Sequence, residues 1–371
     1  MKIAELTAYW VKIPLVTPFR TSFGTSHDRE TFVIKVVTDD GVEGWAECAS
    51  EPDPLYSSEF LEGDLIVIRD QLLPRLVALG DDLCATRVRT ALEPVKGHPM
   101  AKHVVETALL DAELKQNGMS FGRYLGAVKK RVPAGVSVGI YDSLDEMMGH
   151  VDDYVSQGYL RIKLKIEPGW DVEPVRLVRE KYGDDLALQV DANTAYTLAD
   201  ARHLARLDPF DLLLIEQPLP EDDLRGHAEL AKRIRTPVCL DESIESARDA
   251  ATAIALGACS VINIKPARVG GYLEARRIHD VAQANGVPVW CGGMLETGIG
   301  RAPNVALAAL PGFVLPGDTS ASNRYYTTDL TAPFVLEDGH LAVPTGPGNG
   351  VDVIPEVLRE LTTETVRLPL P

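Results

Sequence analysis

The sequence predicts an α/β protein in which a modified (β/α)₇β barrel follows an α+β N-terminal capping domain. The first observation is a repeat: from residue 132 onward, eight short apolar segments recur roughly every 23–27 residues, with charged, helix-like stretches between them. The second is a set of three carboxylates, Asp191, Glu216 and Asp241, each of which ends one of these segments. Both intervals, 191 to 216 and 216 to 241, are 25 residues, the length of one strand-plus-helix unit.

The N-terminal part of the chain has a different pattern. Residues 1–50 alternate apolar and polar side chains around an Asp-Asp-Gly turn at 39–41, which is typical of a small antiparallel sheet. Residues 60–125 are predicted to be helical. Within them one apolar stripe recurs at helical spacing. Its members are Ala101, Val104, Val105, Ala108, Leu109 and Ala112.

The eight apolar segments are predicted to be the parallel strands of the barrel. They lie at 132–140, 160–166, 186–192, 211–217, 237–243, 260–266, 287–293 and 313–319. Seven helix-like stretches separate them, whereas the last segment passes into a Gly/Pro-rich tail, which favours a modified TIM barrel. The predicted division is a cap with specificity loops at 1–130, a catalytic barrel at 131–325, and a C-terminal segment at 326–371 that packs back on the cap.

Composition argues against several classes of protein. The 371 residues carry a net charge of −17 and show no basic face of the kind that nucleic-acid binders need. No uncharged apolar run reaches the roughly 18 residues of a membrane span, and the first residues lack the apolar region of a signal peptide. The five cysteines are scattered without a C-x-x-C pair, which is typical of a reducing cytoplasm. We therefore expect a cytoplasmic protein that binds neither nucleic acid nor membrane.

The three carboxylates are predicted to converge at the C-terminal mouth of the barrel, where barrel enzymes carry their active sites. Carboxylates that converge raise one another's pKa unless a cation holds them. A hard divalent ion such as Mg²⁺ is the partner that oxygen ligands prefer. Glu242 competes with Asp241 for the third ligand position, and Asp191 taken alone could instead cap a helix.

Lysines follow the same period. Lys163 and Lys165 lie one unit before Asp191, and Lys265 lies one unit after Asp241. Residues i and i+2 of a strand share a face, so Lys163 and Lys165 are both predicted to point into the barrel. Taken alone, Lys163 and Lys165 would more ordinarily be solvent-facing lysines. The carboxylates at the equivalent ends of the following strands favour an active site instead.

The joint pattern resembles the enolase superfamily, specifically its muconate-lactonising subgroup. The motifs that carry the resemblance are KLK at 163–165, DAN at 191–193, EQP at 216–218, DES at 241–243 and KPARVGG at 265–271. Further segments, such as PLVTPFRTSFGTS at 14–26 and LPGDTSASNRYY at 315–326, resemble the o-succinylbenzoate synthases of actinobacterial type that also racemise N-acylamino acids.

The resemblance implies an enzyme that removes the proton α to a carboxylate and forms an enediolate. Asp191, Glu216 and Asp241 would hold Mg²⁺, for which Mn²⁺ or Co²⁺ can substitute. In racemisation of an N-acylamino acid, Lys165 and Lys265 would serve opposite faces of the α-carbon. In the syn dehydration of a cyclohexadiene carboxylate, a step of menaquinone biosynthesis, Lys165 would be base and then acid, with Lys265 a stabilising cation.

The resemblance also implies a homo-oligomer, a dimer or an octamer. Lys163 is expected to lower the pKa of Lys165, since a neighbouring positive charge favours a neutral amine. Asn193, Glu242 and Arg268 are expected to surround the ligands, in roles as plausibly structural as catalytic.

Specificity is expected from two cap loops, 16–26 and 50–60, that close over the barrel mouth. The predicted pocket residues are Phe19, Phe23, Tyr56, Ser137, Gly293, Met294, Leu295 and Tyr325. Phe19 and Phe23 fit the core of the cap equally well. Gly293 is expected to leave room for the substrate.

Three competing functions remain open. A muconate cycloisomerase would use the same lysines and ligands. A dipeptide epimerase of this fold would carry Asp-x-Asp on the eighth strand, where Asp318 has no acidic partner two residues on. A barrel without catalytic activity would have no need of the lysines and ligands together.

Overall fold

The computed structural model describes every residue from 1 to 371. The strands are β1 (Ile3–Thr21), β2 (Gly24–Thr38), β3 (Glu43–Glu47), β4 (Arg131–Pro133), β5 (Gly135–Val138), β6 (Arg161–Lys165), β7 (Ala187–Asp191), β8 (Ile215–Glu216), β9 (Val238–Leu240), β10 (Val261–Ile264), β11 (Val289–Cys291), β12 (His340–Ala342) and β13 (Thr362–Leu368). The helices are α1 (Leu61–Val67), α2 (Leu73–Val77), α3 (Ala85–Leu92), α4 (Pro99–Gln116), α5 (Phe121–Leu125), α6 (Leu144–Ser156), α7 (Val172–Tyr182), α8 (Ala201–Leu204), α9 (Leu224–Leu230), α10 (Ala247–Leu256), α11 (Tyr272–Ala284), α12 (Gly298–Ala308) and α13 (Pro355–Leu361).

The cap is built on an antiparallel sheet in the order β13-β1-β2-β3. Helix α4 packs on this sheet, and all six residues of its predicted apolar stripe are buried. The approach is close at Gly44, where an added Cβ would lie 2.0 Å from the carbonyl oxygen of Ala108. Any side chain at Gly44 would therefore push the helix off the sheet.

The barrel is a parallel sheet in the order β11-β10-β9-β8-β7-β6-β5, which confirms the predicted fold class. Residues 313–318 close it, because Gly135 N–H donates to Gly317 O at 2.7 Å and Asp318 N–H donates to Cys291 O at 2.8 Å. The predicted eighth strand is thus reduced to single bridges. Pro316 supplies the physical reason, since proline has no N–H to donate to a ladder.

Seven helices, α6 to α12, follow the seven barrel strands, and no α-helix directly follows the closing segment. The tail returns instead to earlier parts of the chain: β12 pairs with β4, and β13 pairs with β1. The division of the chain at residues 130 and 325 stays a prediction. No helix combines the length and the apolar surface that crossing a membrane requires.

The first predicted specificity loop is in fact a hairpin tip. Strands β1 and β2 stay paired as far as Thr21 opposite Gly24, with a register shift between Pro14 and Phe19. The loop prediction for 16–26 was wrong, because the strand pairing continues past the prolines at 14 and 18 through an irregularity in register. The tip is consequently paired strand as far as the two-residue turn at 22–23.

Candidate active site

Parallel pairing brings the predicted strand-end residues to one end of the barrel. Lys165 lies opposite Asp191, and Asp191 lies opposite Glu216, in the β6-β7-β8 register. Asp241 directly follows β9 and Lys265 directly follows β10. All five side chains are buried. The sheet therefore assembles lysines and carboxylates that are far apart in sequence.

Lys163 lies at the centre of the carboxylates. Its Nζ lies 2.6 Å from Asp318 Oδ2, 3.0 Å from Glu216 Oε2 and 3.2 Å from Asp191 Oδ2. Burial lowers the pKa of Lys163, but these three negative charges outweigh burial and raise the pKa above its ordinary value. Asp318, which has no acidic partner in sequence, is thus paired with a lysine, and Arg161 donates to its other oxygen at 2.8 Å.

Lys165 is oriented by two acceptors. Its Nζ donates to Asp191 Oδ2 and to Asn193 Oδ1, both at 2.6 Å. The amide of Asn193 in turn donates to Glu242 Oε1 at 2.9 Å. Asn193 and Glu242 therefore lie directly behind Lys165.

Lys265 is held from the opposite side. Its Nζ lies 2.8 Å from Asp241 Oδ2 and donates to Tyr56 Oη at 2.9 Å. The ring of Tyr56 lies beneath both Lys265 and Arg268, with centroid distances of 4.9 Å and 5.5 Å. Tyr56 was predicted only to line the substrate pocket. The structure adds that this cap residue contacts the lysine itself.

The carboxylates differ in their electrostatic balance. Burial, followed by the charges of Asp191 and Asp241, raises the pKa of Glu216 well above its ordinary value. At Asp191 burial acts in the same direction, but Lys165 and Lys163 outweigh it and hold the pKa below its ordinary value. A buried carboxylate such as Glu216 needs either a proton or a nearby cation.

The donor set fits a divalent ion. Asp191, Glu216 and Asp241 offer hard oxygen ligands on three consecutive barrel strands. Oδ1 of Asp241 is buried and has no hydrogen-bond partner, and neither has Oε2 of the adjacent Glu242. Ligation of one ion by all three would require Lys163 to retreat from Asp191 and Glu216, which it now bridges.

All eight predicted pocket residues line one cavity above these groups, together with Lys163, Lys165, Asn193 and Lys265. Four further lining residues were not predicted: Thr21, Ser26, Glu51 and Asp318. The cavity volume is about 60 Å³.

Gly293 is not simply open space for a substrate. A Cβ at this position would lie 2.9 Å from the carbonyl oxygen of Asp318, so the glycine lets the closing segment approach β11. A Cβ at the neighbouring Gly292 would lie 2.7 Å from Cε of Lys265 and 2.5 Å from Oδ1 of Asn263. Gly293 also lines the cavity, so its expected role of leaving room for the substrate stays a prediction. Gly292 makes room for the lysine.

Two supporting residues were missed by the sequence analysis. Gln217 accepts the backbone N–H of Asp241 at 3.0 Å, which fixes the start of the loop that carries this carboxylate. Asn263 donates to Glu216 Oε1 at 2.7 Å. The strand period could have found Asn263, because it lies two residues before Lys265 on the same face of β10.

The cap aromatics can be separated from cap core by mutation. Phe23 is 36% exposed and Phe19 is half-buried. We expect Phe23→Ala and Phe19→Ala to change the ratio of rates on different N-acyl groups more than they change the melting temperature. Val16→Ala, on the same hairpin but outside the cavity lining, is the control. A lower melting temperature with unchanged rate ratios would assign the two phenylalanines to the cap core.

Comparison with known proteins agrees with this arrangement. Residues 3–126 match the family model of the mandelate racemase/muconate lactonizing enzyme N-terminal domain, and residues 146–357 match that of the enolase C-terminal domain-like family. The N-succinylamino acid racemase of an Amycolatopsis species is 62% identical over 366 residues, which cover 99% of each chain. The o-succinylbenzoate synthase of Geobacillus kaustophilus is 45% identical over 344 residues, 92% of this chain and 91% of that one.

A solved structure gives the same result. An enolase-superfamily member from Listeria innocua superimposes with a TM-score of 0.95 at 39% identity, over all of both chains. The two family models together span most of this chain, and the two relatives are similar over more than nine-tenths of it. The chain therefore belongs to the enolase superfamily, with the N-terminal domain of the mandelate racemase/muconate lactonizing enzyme family.

Proposed function

We propose that this protein removes the proton α to a substrate carboxylate, and that it acts both as an o-succinylbenzoate synthase and as an N-succinylamino acid racemase. The observation that carries the proposal is the placement of Lys165 and Lys265. Strands β6 and β10 are four positions apart in a closed ring of eight, so these lysines face each other across the mouth. The names of the two relatives support both activities.

The two lysines account for racemisation. Lys165 Nζ takes the α-proton from one face of the substrate, and Lys265 Nζ returns a proton to the opposite face. Asn193 and Tyr56 hold the two amines through hydrogen bonds of 2.6 Å and 2.9 Å, so each nitrogen is positioned before the substrate arrives. The reverse reaction exchanges the two roles.

The same residues account for syn dehydration. In this reaction the proton and the hydroxide leave from one face, so Lys165 acts first as base and then as acid to the leaving hydroxide. Lys265 remains an ammonium and stabilises the enediolate charge. One site can thus carry both reactions, which differ only in the role of Lys265.

Asp191, Glu216 and Asp241 would hold the metal ion, which we propose to be Mg²⁺. When bound, the ion supplies stabilisation of the negative charge that develops on the substrate carboxylate. The chain's own contribution is to hold three oxygens in a buried site, where Asn263 and Gln217 fix Glu216 and the backbone of Asp241. The proposed partners are small carboxylates; the oligomer, dimer or octamer, stays a prediction.

The substrate body would lie against the cap aromatics and the polar wall at Ser137. Ser137 Oγ is buried and has no hydrogen-bond partner within the protein. A hydroxyl in this state on the cavity wall offers a hydrogen bond to the acyl carbonyl or succinyl carboxylate of a bound substrate. Arg324, which donates to the Ser137 carbonyl at 2.9 Å, adds positive charge behind that wall.

Dipeptide epimerisation is less well supported. Asp318 would have to receive the substrate ammonium, but both of its oxygens already accept from Lys163 and Arg161. Muconate cycloisomerisation needs the same lysines and carboxylates and remains the second candidate. Assays of the purified protein on a cyclohexadiene carboxylate, on N-succinyl and N-acetyl amino acids and on muconate separate these functions.

Removal of the metal tests whether both proposed reactions depend on a bound ion. We expect exhaustive chelation to abolish both activities, and Mg²⁺, Mn²⁺ or Co²⁺ to restore them. The reason is that the buried carboxylates are themselves negative and cannot stabilise the negative charge that develops on the substrate carboxylate. Glu216→Gln should remain inactive after metal is added back. Full activity of the chelated protein would overturn the metal assignment.

A further inference from the structure

A second group of metal-type side chains lies in the cap, away from the barrel carboxylates. Glu59 precedes α1, Asp64 lies within α1, and His98 precedes α4. The ligand atoms of the three residues all lie within 4.8 Å of one another. Glu59 is 6% exposed and Asp64 is 1% exposed, whereas His98 is half-buried and faces the surface.

One of the two carboxylates has an oxygen without a hydrogen-bond partner. Asp64 Oδ1 is buried and has no hydrogen-bond partner, although Oδ2 accepts from the hydroxyl of Ser50. Glu59 accepts the backbone N–H groups of Met100 and Ala101 at 3.0–3.1 Å, which cap α4 but bring no full positive charge. Lys102 in α4 turns away and donates to the carbonyl of Val95 at 2.5 Å.

Two negative carboxylates this close and this buried need a cation or a shared proton. Burial, followed by the charge of Asp64, raises the pKa of Glu59 to about 8. Burial also raises the pKa of Asp64. The unpartnered oxygen of Asp64 and the adjacent imidazole of His98 favour the cation. Two carboxyl groups that share a proton have no need of an imidazole, whereas an imidazole is a common metal ligand.

The ligand types indicate which ion would bind. Two carboxylates and an imidazole suit Zn²⁺, whereas Mg²⁺ takes oxygen ligands almost exclusively. Ligand atoms around a tetrahedral zinc lie about 3.3 Å apart, given metal–ligand distances of about 2.0–2.1 Å. Atoms that already lie within 4.8 Å of one another reach that spacing by small side-chain rotations. Cys48 Sγ, 3.5 Å from Asp64 Oδ2, lies behind the cluster.

We propose that Glu59, Asp64 and His98 form a second metal site, of zinc type, that fastens the 51–61 loop of the cap to the start of α4. The loop is already closed at its base by Leu61 N–H, which donates to Glu51 O at 3.1 Å. Tyr56, at its tip, contacts Lys265. A metal at Glu59 would therefore stiffen the segment that places Tyr56 over the barrel.

The test is a titration of the full-length protein with Zn²⁺ while Mg²⁺ saturates the barrel site. Calorimetry and metal analysis should find one zinc per chain, and Asp64→Asn should weaken its binding at least tenfold. Asp70→Asn, which changes an exposed aspartate between α1 and α2, should leave zinc affinity unchanged. Glu216→Gln, which removes a proposed barrel ligand, should retain the cap zinc.

His98→Gln provides a second variant in case Asp64→Asn fails to fold, because His98 lies at the surface. It too should weaken zinc binding at least tenfold. Absence of zinc binding by the wild-type protein at pH 8, or equal affinity in the wild type and His98→Gln, would overturn the proposal. Either result would mean that Glu59 and Asp64 share a proton instead.

Discussion

Lys265→Ala should still exchange the α-proton of one enantiomer of an N-succinylamino acid in D₂O, yet fail to racemise it. Lys165→Ala should exchange only the other enantiomer. The reason is geometric: Lys165 is anchored to Asp191 and Asn193 on one side of the mouth, and Lys265 to Asp241 and Tyr56 on the other. A positioned proton transfer contributes about 10²–10⁴-fold to rate, so each racemisation rate should fall by at least about 10²-fold.

The dehydration rates refine this prediction. Lys165→Ala should lose dehydration as fully as racemisation, because Lys165 is both base and acid in that reaction. Lys265→Arg keeps a cation and should retain more dehydration than racemisation. Lys181→Ala, an exposed lysine on the outer helix α7, is the control and should change neither rate. Normal exchange of both enantiomers in either alanine variant at 165 or 265 would show that the two-base assignment is wrong.

Asp318→Asn should produce the largest loss of stability among single changes at the site. The substitution leaves the buried cations of Lys163 and Arg161, which now lie 2.6 Å and 2.8 Å from the carboxylate, without their shared counter-charge. Removing one partner of a buried ion pair lowers the free energy of unfolding by about 3–5 kcal/mol. Denaturant unfolding monitored by circular dichroism measures the difference.

Two further variants make the stability prediction specific. Asp142→Asn removes an exposed carboxylate that lies 3.4 Å from Arg20, and a surface pair of this kind contributes about 0–1 kcal/mol. The double variant Asp318→Asn, Lys163→Met should lose less stability than the sum of its single changes, since one of the unpaired charges is gone. A loss of less than about 1 kcal/mol in Asp318→Asn would contradict a strong buried network.

The strand-end residues could be predicted because the barrel repeats. A period of 25 residues places Asp191, Glu216 and Asp241 on successive strands, and alternation within a strand places Lys163 beside Lys165 on one face. Neither step requires knowledge of which distant segments touch. This is why the lysines and carboxylates are visible in the sequence while most of their partners are not.

The contacts of Asp318 and Tyr56 could not be predicted, because they depend on how distant elements meet. Asp318 lies 155 residues from Lys163 along the chain. It reaches this lysine only because the closing segment lies beside β5. Tyr56 reaches Lys265 across 209 residues, through the placement of the cap on the barrel. No local pattern encodes such pairings.

The predictions for the hairpin tip and for the closing segment were wrong for a local reason. Prolines at 14, 18 and 316 leave the strand pattern ambiguous, and the structure has strand at the first two and none at the third. The long pairing of β1 with β2 tolerates an irregularity near Pro14 and continues to Thr21. Around Pro316 only single bridges remain, because proline has no N–H to donate. The backbone N–H groups of Gly317 and Asp318 make the hydrogen bonds instead.

Mutual inhibition between the two reactions tests the central claim, that one pair of lysines serves both, most directly. The racemisation rate of an N-succinylamino acid is measured in the wild type while the cyclohexadiene carboxylate is added at increasing concentration. The account predicts purely competitive inhibition in the wild type, with an inhibition constant equal to the KM of dehydration when substrate release is fast. Two activities that do not inhibit each other, or the absence of either activity from the purified protein, would contradict it.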